Sequence, residues 1–176
     1  MSSLEDIGTA ALAFVHEHRA WAGPVVFVFA FCESVAFLSL LVPATIILLG
    51  LGALIGENGL DLWTVWLAAT AGAFFGDWLS YWFGRKFKHR VAEIWPLTRF
   101  PGLIPRGEQF FRTYGIPGLF VGRFFGPLRA ALPLTAGICA MPLLRFQATN
   151  IASAFIWSGA MLAPGAVGAH FLSRIF

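Results

Sequence analysis

Arg123 and Arg129 stand six residues apart in a stretch, Gly115 to Gly137, that is otherwise almost wholly apolar, small or proline. An arginine at bilayer depth costs roughly 2.5–3.5 kcal/mol on insertion scales, so a pair of them there signals a task. On an ideal helix a six-residue step leaves two side chains about 120° apart. Gly126-Pro127 lies between them, and proline breaks that geometry because it lacks a donor and clashes with the preceding turn. With the helix broken, two guanidinium forks can converge on one oxyanion and hold it through paired hydrogen bonds. The chemistry is recognition of an anion such as phosphate.

The competing reading is internal. Glu33 and Asp77 are the acidic residues of the other apolar runs, and either can neutralise an arginine and tie the bundle together. A Glu33–Arg123 bridge is one such pair, and a single resting state can serve both readings. Glu33 reads as a proton carrier or as a resting counterion. Asp77 has a second set of nearby partners in Tyr81 and Arg85. Asn150 reads as a donor to a headgroup or as an interhelical hydrogen bond. Covalent chemistry would need a nucleophile or base beside the arginines. None of the four histidines, His16, His18, His89 and His170, falls in the broken stretches, so no enzyme and no metal site is expected. Cys32 and Cys139 both sit in apolar runs and read as buried thiols, too few for a disulfide framework.

The elements that must position these residues are those of a membrane protein. The chain has 176 residues, 58% hydrophobic and 12% charged, against about 25% charged in soluble domains. No basic region precedes the first apolar run, so a cleaved signal peptide is not expected. The pattern predicts one all-α integral membrane domain over 1–176. Residues 3–18 form an interfacial amphipathic helix. Residues 20–56, with Pro24, Pro43, Gly50 and Gly52, are too long for one span and short for two, and read as a re-entrant segment.

A spanning helix over 62–84 follows, with Ala68, Gly72, Gly76, Ser80 and Gly84 forming a smooth strip for close helix approach. The connector 85–112 gathers Arg85, Lys86, Lys88, Arg90, Arg99, Arg106 and Arg112 and belongs in the cytoplasm. A second re-entrant segment over 114–142, interrupted by Gly126, Pro127 and Pro133, precedes a last spanning helix over 146–172. Glu33 precedes Pro43 by ten residues and Arg123 precedes Pro133 by ten, so the halves read as an inverted repeat with opposed re-entrant segments. Such repeats place binding sites near the midplane.

An ordered set of residues resembles the DedA, or VTT-domain, family over roughly 20–160. It comprises Glu33 with Phe37, Leu38 and Pro43, then Gly76-Asp77, Tyr81 and Gly84-Arg85. It ends with Arg123-Phe-Phe-Gly-Pro-Leu-Arg129, Ala136-Gly137, Met141, Phe146, Asn150 and Trp157. The resemblance implies facing re-entrant segments in the bacterial inner membrane and translocation of a lipid phosphate. Bacterial relatives are linked to undecaprenyl phosphate and eukaryotic ones to phospholipid scrambling. Arg123, Arg129, Glu33, Asp77 and Asn150 would then bind the substrate, with Glu33 the coupling residue.

One departure is Thr45, where many relatives carry an acid two positions after the proline. That puts proton coupling through the position in doubt. The expected partners are anionic membrane lipids and no nucleic acid. No cofactor is expected beyond a coupling ion, proton or sodium. A scramblase without selectivity, a lipid phosphatase and an assembly subunit are the alternatives.

Overall fold

The computed structural model describes residues 18, 21–35, 61–88, 90, 98 and 102–175, with backbone alone at 103, 126–128, 130 and 164–175. The expected helix over 3–18 (apart from His18), Pro43 and Thr45 lie outside the described residues. Among them the chain is all helical without a strand: α1 Ala22–Ser34, α2 Leu62–Phe87, α3 Leu103–Gly122, α4 Gly126–Ile138 and α5 Leu143–Ile175.

Helix α2 starts where Asp61 caps it, its Oδ2 accepting from the Thr64 amide at 3.0 Å and the Thr64 hydroxyl at 2.5 Å. Those bonds hold the exposed Asp61 carboxyl below its ordinary range. Arg85 and Lys86 occupy the last turn, where cations complement the helix dipole.

The small-residue strip of α2 is the seam of the fold. A side-chain carbon at Gly72 would collide with the Phe27 carbonyl, and one at Gly76 would lie 2.6 Å from the Phe31 oxygen. Gly23 faces Thr64 and Ala68 at the other end, so α1 and α2 run parallel. Further along, Gly84 meets the Leu134 backbone, and Gly137 of α4 meets the Tyr81 carbonyl and Arg85 amide. Absence of a Cβ at these points is what lets three backbones touch. Helix α5 runs antiparallel to α2. The Trp66 indole donates to the Phe155 carbonyl at 2.9 Å, Thr70 and Ser158 share a hydroxyl bond of 2.7 Å, and Tyr81 stacks on Phe146 at 4.3 Å.

Among the described residues no helix is long and apolar enough to cross a membrane. Length is ample at the two expected spans, since 26 residues of α2 and 33 of α5 rise about 39 and 50 Å. In α2 it is apolarity that falls short, because glycine, threonine, serine and Asp77 occupy faces that pack against protein, where lipid sets no requirement.

Helix α3 begins inside the expected connector, at Leu103, and carries Arg106 and Arg112. It kinks at Gly115, where φ is +55°, a conformation glycine adopts without steric cost, and Pro117 follows. The break proper falls at Arg123–Phe125, with Phe125 extended at φ −100° and ψ 103°. Gly126 and Pro127 open α4 in place of forming the gap, because proline in a first turn forfeits no hydrogen bond. Pro133, expected as a further break, lies within a continuous α4.

Candidate functional site

Helix α1 ends one residue after Glu33, so the Glu33 carbonyl is among the last acceptors that the helix leaves open. Arg129, in the first turn of α4, answers both groups of that residue. Its Nη2 lies 2.9 Å from Glu33 Oε1 and donates to the Glu33 carbonyl at 3.0 Å. One guanidinium thus pairs a carboxylate and caps a helix C-terminus, where positive charge is favoured.

Arg123 stands at the end of α3, where the chain leaves the helix before the break. Its Nη1 lies 2.6 Å from Asp77 Oδ2 on α2 and donates at 3.1 Å to both Asn150 Oδ1 and Ser153 Oγ on α5. Asn150 is itself fixed by donating from Nδ2 to the Phe74 carbonyl at 3.0 Å. Arg123 is 8% exposed, and its Nη2 is buried without a hydrogen-bond partner among the described residues. Of the internal pairings the sequence allows, Glu33–Arg123 does not form: Glu33 takes Arg129, and Asp77 takes Arg123. The cause is position, since Glu33 lies at the end of α1 beside the start of α4.

Tyr81 and Arg85 do not serve Asp77. Arg85 Nη1 donates to the Tyr81 hydroxyl at 2.7 Å and to the Met141 carbonyl at 3.2 Å, while Tyr81 donates to the same carbonyl at 2.5 Å. This bracket holds the turn between α4 and α5, where Ala140 adopts φ +55°.

Between the pairs is a small cavity of about 10 Å3 lined by Asp77, Arg123, Arg129, Pro133, Asn150 and Ser153, with apolar walls from Leu119, Leu132 and Phe146. That is room for about one water. The structure therefore gathers Arg123, Arg129, Asp77 and Asn150 around one void, with Glu33 bonded to Arg129. Pro43 lies outside the described residues.

Two residues at this place escaped the reading of the sequence as site residues. Ser153 bonds Arg123, and the buried Trp157 ring lies 4.7 Å from Arg129 Cζ and 5.7 Å from Arg123 Cζ. A signal existed. Phe146, Asn150, Ser153 and Trp157 follow one another at four, three and four residues, which sets them on one face of a helix.

The VTT domain family matches residues 42–167 of the chain. The inner membrane protein YabI of Escherichia coli K12 is 34% identical over 152 residues, covering 86% of this chain and 60% of YabI. The uncharacterized membrane protein BU139 of Buchnera aphidicola is 30% identical over 155 residues, 88% of this chain and 60% of that protein. The inner membrane protein YghB of Escherichia coli K12 is 31% identical over 167 residues, 89% and 75% of the two chains. The chain thus spans 60% of the length of the first two. No solved structure matches it.

Proposed function

The chain belongs to the VTT-domain, or DedA, family of integral membrane proteins, and from that premise we propose that it is a multi-pass bacterial inner-membrane transporter that moves a lipid phosphate headgroup between leaflets. Relatives named as inner membrane proteins support the location. The observation that carries the activity is the arginine pair, Arg123 buried and Arg129 half-buried, reached from opposite sides of a helix break and facing one void. At rest each is neutralised by a carboxylate. A phosphate monoester offers oxygens for both forks and can replace those carboxylates, so its own charge is matched while it leaves water. The prenyl or acyl tail stays in the bilayer.

A void of about 10 Å3 admits no headgroup, so this is the closed state, and entry requires the elements that carry the pairs to part. Undecaprenyl phosphate is the first substrate to try. Glu33 is the coupling candidate, for protons or sodium. A second reading, a scramblase that equilibrates lipid without a gradient, is favoured by Thr45 standing where relatives often carry an acid.

The test is headgroup translocation by purified protein in liposomes, with undecaprenyl phosphate, phosphatidic acid and phosphatidylcholine compared with and without a pH gradient. Transport of the phosphate monoesters that Arg123→Ala and Arg129→Ala abolish is the expected result. Equal transport of phosphatidylcholine would leave the scramblase. No translocation of any lipid by protein that is folded and inserted would end both readings.

A further inference from the structure

We propose that Trp157 is a positioning residue of this site, its indole face holding both guanidinium groups in place after their carboxylates have let go. The inference rests on the lipid-phosphate reading and goes past it, because Trp157 stands outside the lining of the void and acts through the arginines.

The geometry is specific. Trp157 is 2% exposed and packs in the core with Val26, Ala30 and Ala73. The same ring has Arg129 Cζ at 4.7 Å and Arg123 Cζ at 5.7 Å from its centroid, both within the range over which a cation is drawn to an aromatic face. Two cations on one neutral ring is an unusual economy, and charge arithmetic explains its use. The site must keep two like charges close to each other in a dry place. A third carboxylate would hold them, but it would also repel the incoming phosphate. An indole attracts each cation through its quadrupole and adds no negative charge, so it steadies the arginines without competing with the anion.

The other fixed contacts of the arginines support this division of labour. Asp77 and Glu33 are anions and must yield to phosphate, whereas Asn150 and Ser153 hold only Nη1 of Arg123. Among the described residues Arg129 has no such neutral side-chain acceptor; its bonds there are to the carboxylate and carbonyl of Glu33. When Glu33 moves with α1, the ring of Trp157 is the contact that stays. Arg129 is accordingly the arginine that depends on Trp157 most, in line with its shorter distance.

The experiment replaces Trp157 with mono-, di- and trifluorinated tryptophan by codon suppression. This series weakens the ring quadrupole in steps at nearly constant shape, which a purely space-filling role would not register. Farnesyl phosphate is titrated into the detergent-purified full chain and binding is read by thermal shift. Affinity falling stepwise, by about 5- to 30-fold across the series, is the expected result. Melting of the lipid-free protein gives the second measurement: fluorination lowers the melting temperature with Arg129 present and does so much less in an Arg129→Gln background. Absence of that coupling overturns the contact. Coupling without any change in affinity overturns the positioning role, while wild-type binding leaves the lipid-phosphate reading standing. Failure of the wild-type protein to bind farnesyl phosphate, by contrast, refutes that reading and this inference with it. Trp157→Phe should sit within the series and Trp157→Leu beyond its weak end.

Discussion

Asp77→Asn should make the protein less stable and a better binder of lipid phosphate. In the closed state the Asp77 carboxylate lies 2.6 Å from Arg123 Nη1 and both side chains are buried. Removing one partner of a buried pair costs about 3–5 kcal/mol, because the other charge is stranded. Here the loss is partly offset. Asparagine keeps an acceptor oxygen in nearly the same place, and a hydrogen bond to a charged group contributes about 1.5–3 kcal/mol; Asn150 and Ser153 still hold Nη1 at 3.1 Å. A net loss of about 1.5–2 kcal/mol follows, or about 3–8 °C in melting temperature for a chain of this length. Binding moves the other way. Phosphate no longer has to displace an anion from Arg123, and each 1.4 kcal/mol of relieved competition is about tenfold in affinity. The assay is thermal melting in detergent with and without farnesyl phosphate. Stability and affinity falling together would refute the idea that Asp77 occupies the place of the ligand, and an unchanged melting temperature would refute the pair as a stabilising contact.

Arg123→Lys should fold but fail in transport nearly as badly as Arg123→Ala. An ammonium has three donors for Asp77, Asn150 and Ser153, yet it lacks the second nitrogen that in the arginine is buried without a bond; lysine restoring near-normal flux in liposomes would leave a point charge in place of a fork. Glu33→Gln should remain folded, because Arg129 keeps its bond to the Glu33 carbonyl, and should lose dependence of flux on a pH gradient while still binding lipid phosphate; wild-type gradient dependence in the mutant would pass the coupling role to Asp77. Gly84→Ala should destabilise by about 1–3 kcal/mol through overpacking, since its methyl would collide with the Leu134 backbone, whereas Gly23→Ala makes ordinary contacts with Thr64 at 3.6 Å and Ala68 at 3.9 Å and should melt close to wild type. Equal melting temperatures for those two variants would deny that the strip of α2 is a close helix seam.

The ionisable residues were legible because their cost in an apolar run is so high that each marks itself. Their pairing was not, since choosing between Glu33 and Asp77 for Arg123 depends on how α1, α2 and α4 meet in space. The small-residue strip of α2 was legible for a similar reason: spacing of four puts Gly72, Gly76 and Gly84 on one side before any partner is known. The break was found to within a few residues. It fell just before Gly126-Pro127 because proline serves better as the start of a helix than as a gap. Trp157 was named only within the family resemblance and given no role, because spacing alone does not say which side chains a buried ring will face; tryptophans elsewhere in the chain read as interfacial. Trp63, Trp78 and Trp82, at 59%, 40% and 47% exposure, do behave that way. Helix α3 was hidden by its charges, which read as a solvated connector although Arg106, Glu108 and Arg112 suit a helix surface.

Both ion pairs of the site join a residue from the first half of the chain to one from the second: Glu33 to Arg129, and Asp77 to Arg123. The halves cannot separate empty without stranding four charges in a dry interior. At about 3–5 kcal/mol for each broken pair, an empty opening would be populated only about once in 10⁴ to 10⁷ molecules. On the carrier reading proposed above, that rarity is a form of insulation, because an unloaded protein that seldom opens leaks few protons. The anion that crosses would then also be the key, since only a ligand bringing its own negative charge lets the two bolts be drawn without exposing bare arginines to lipid.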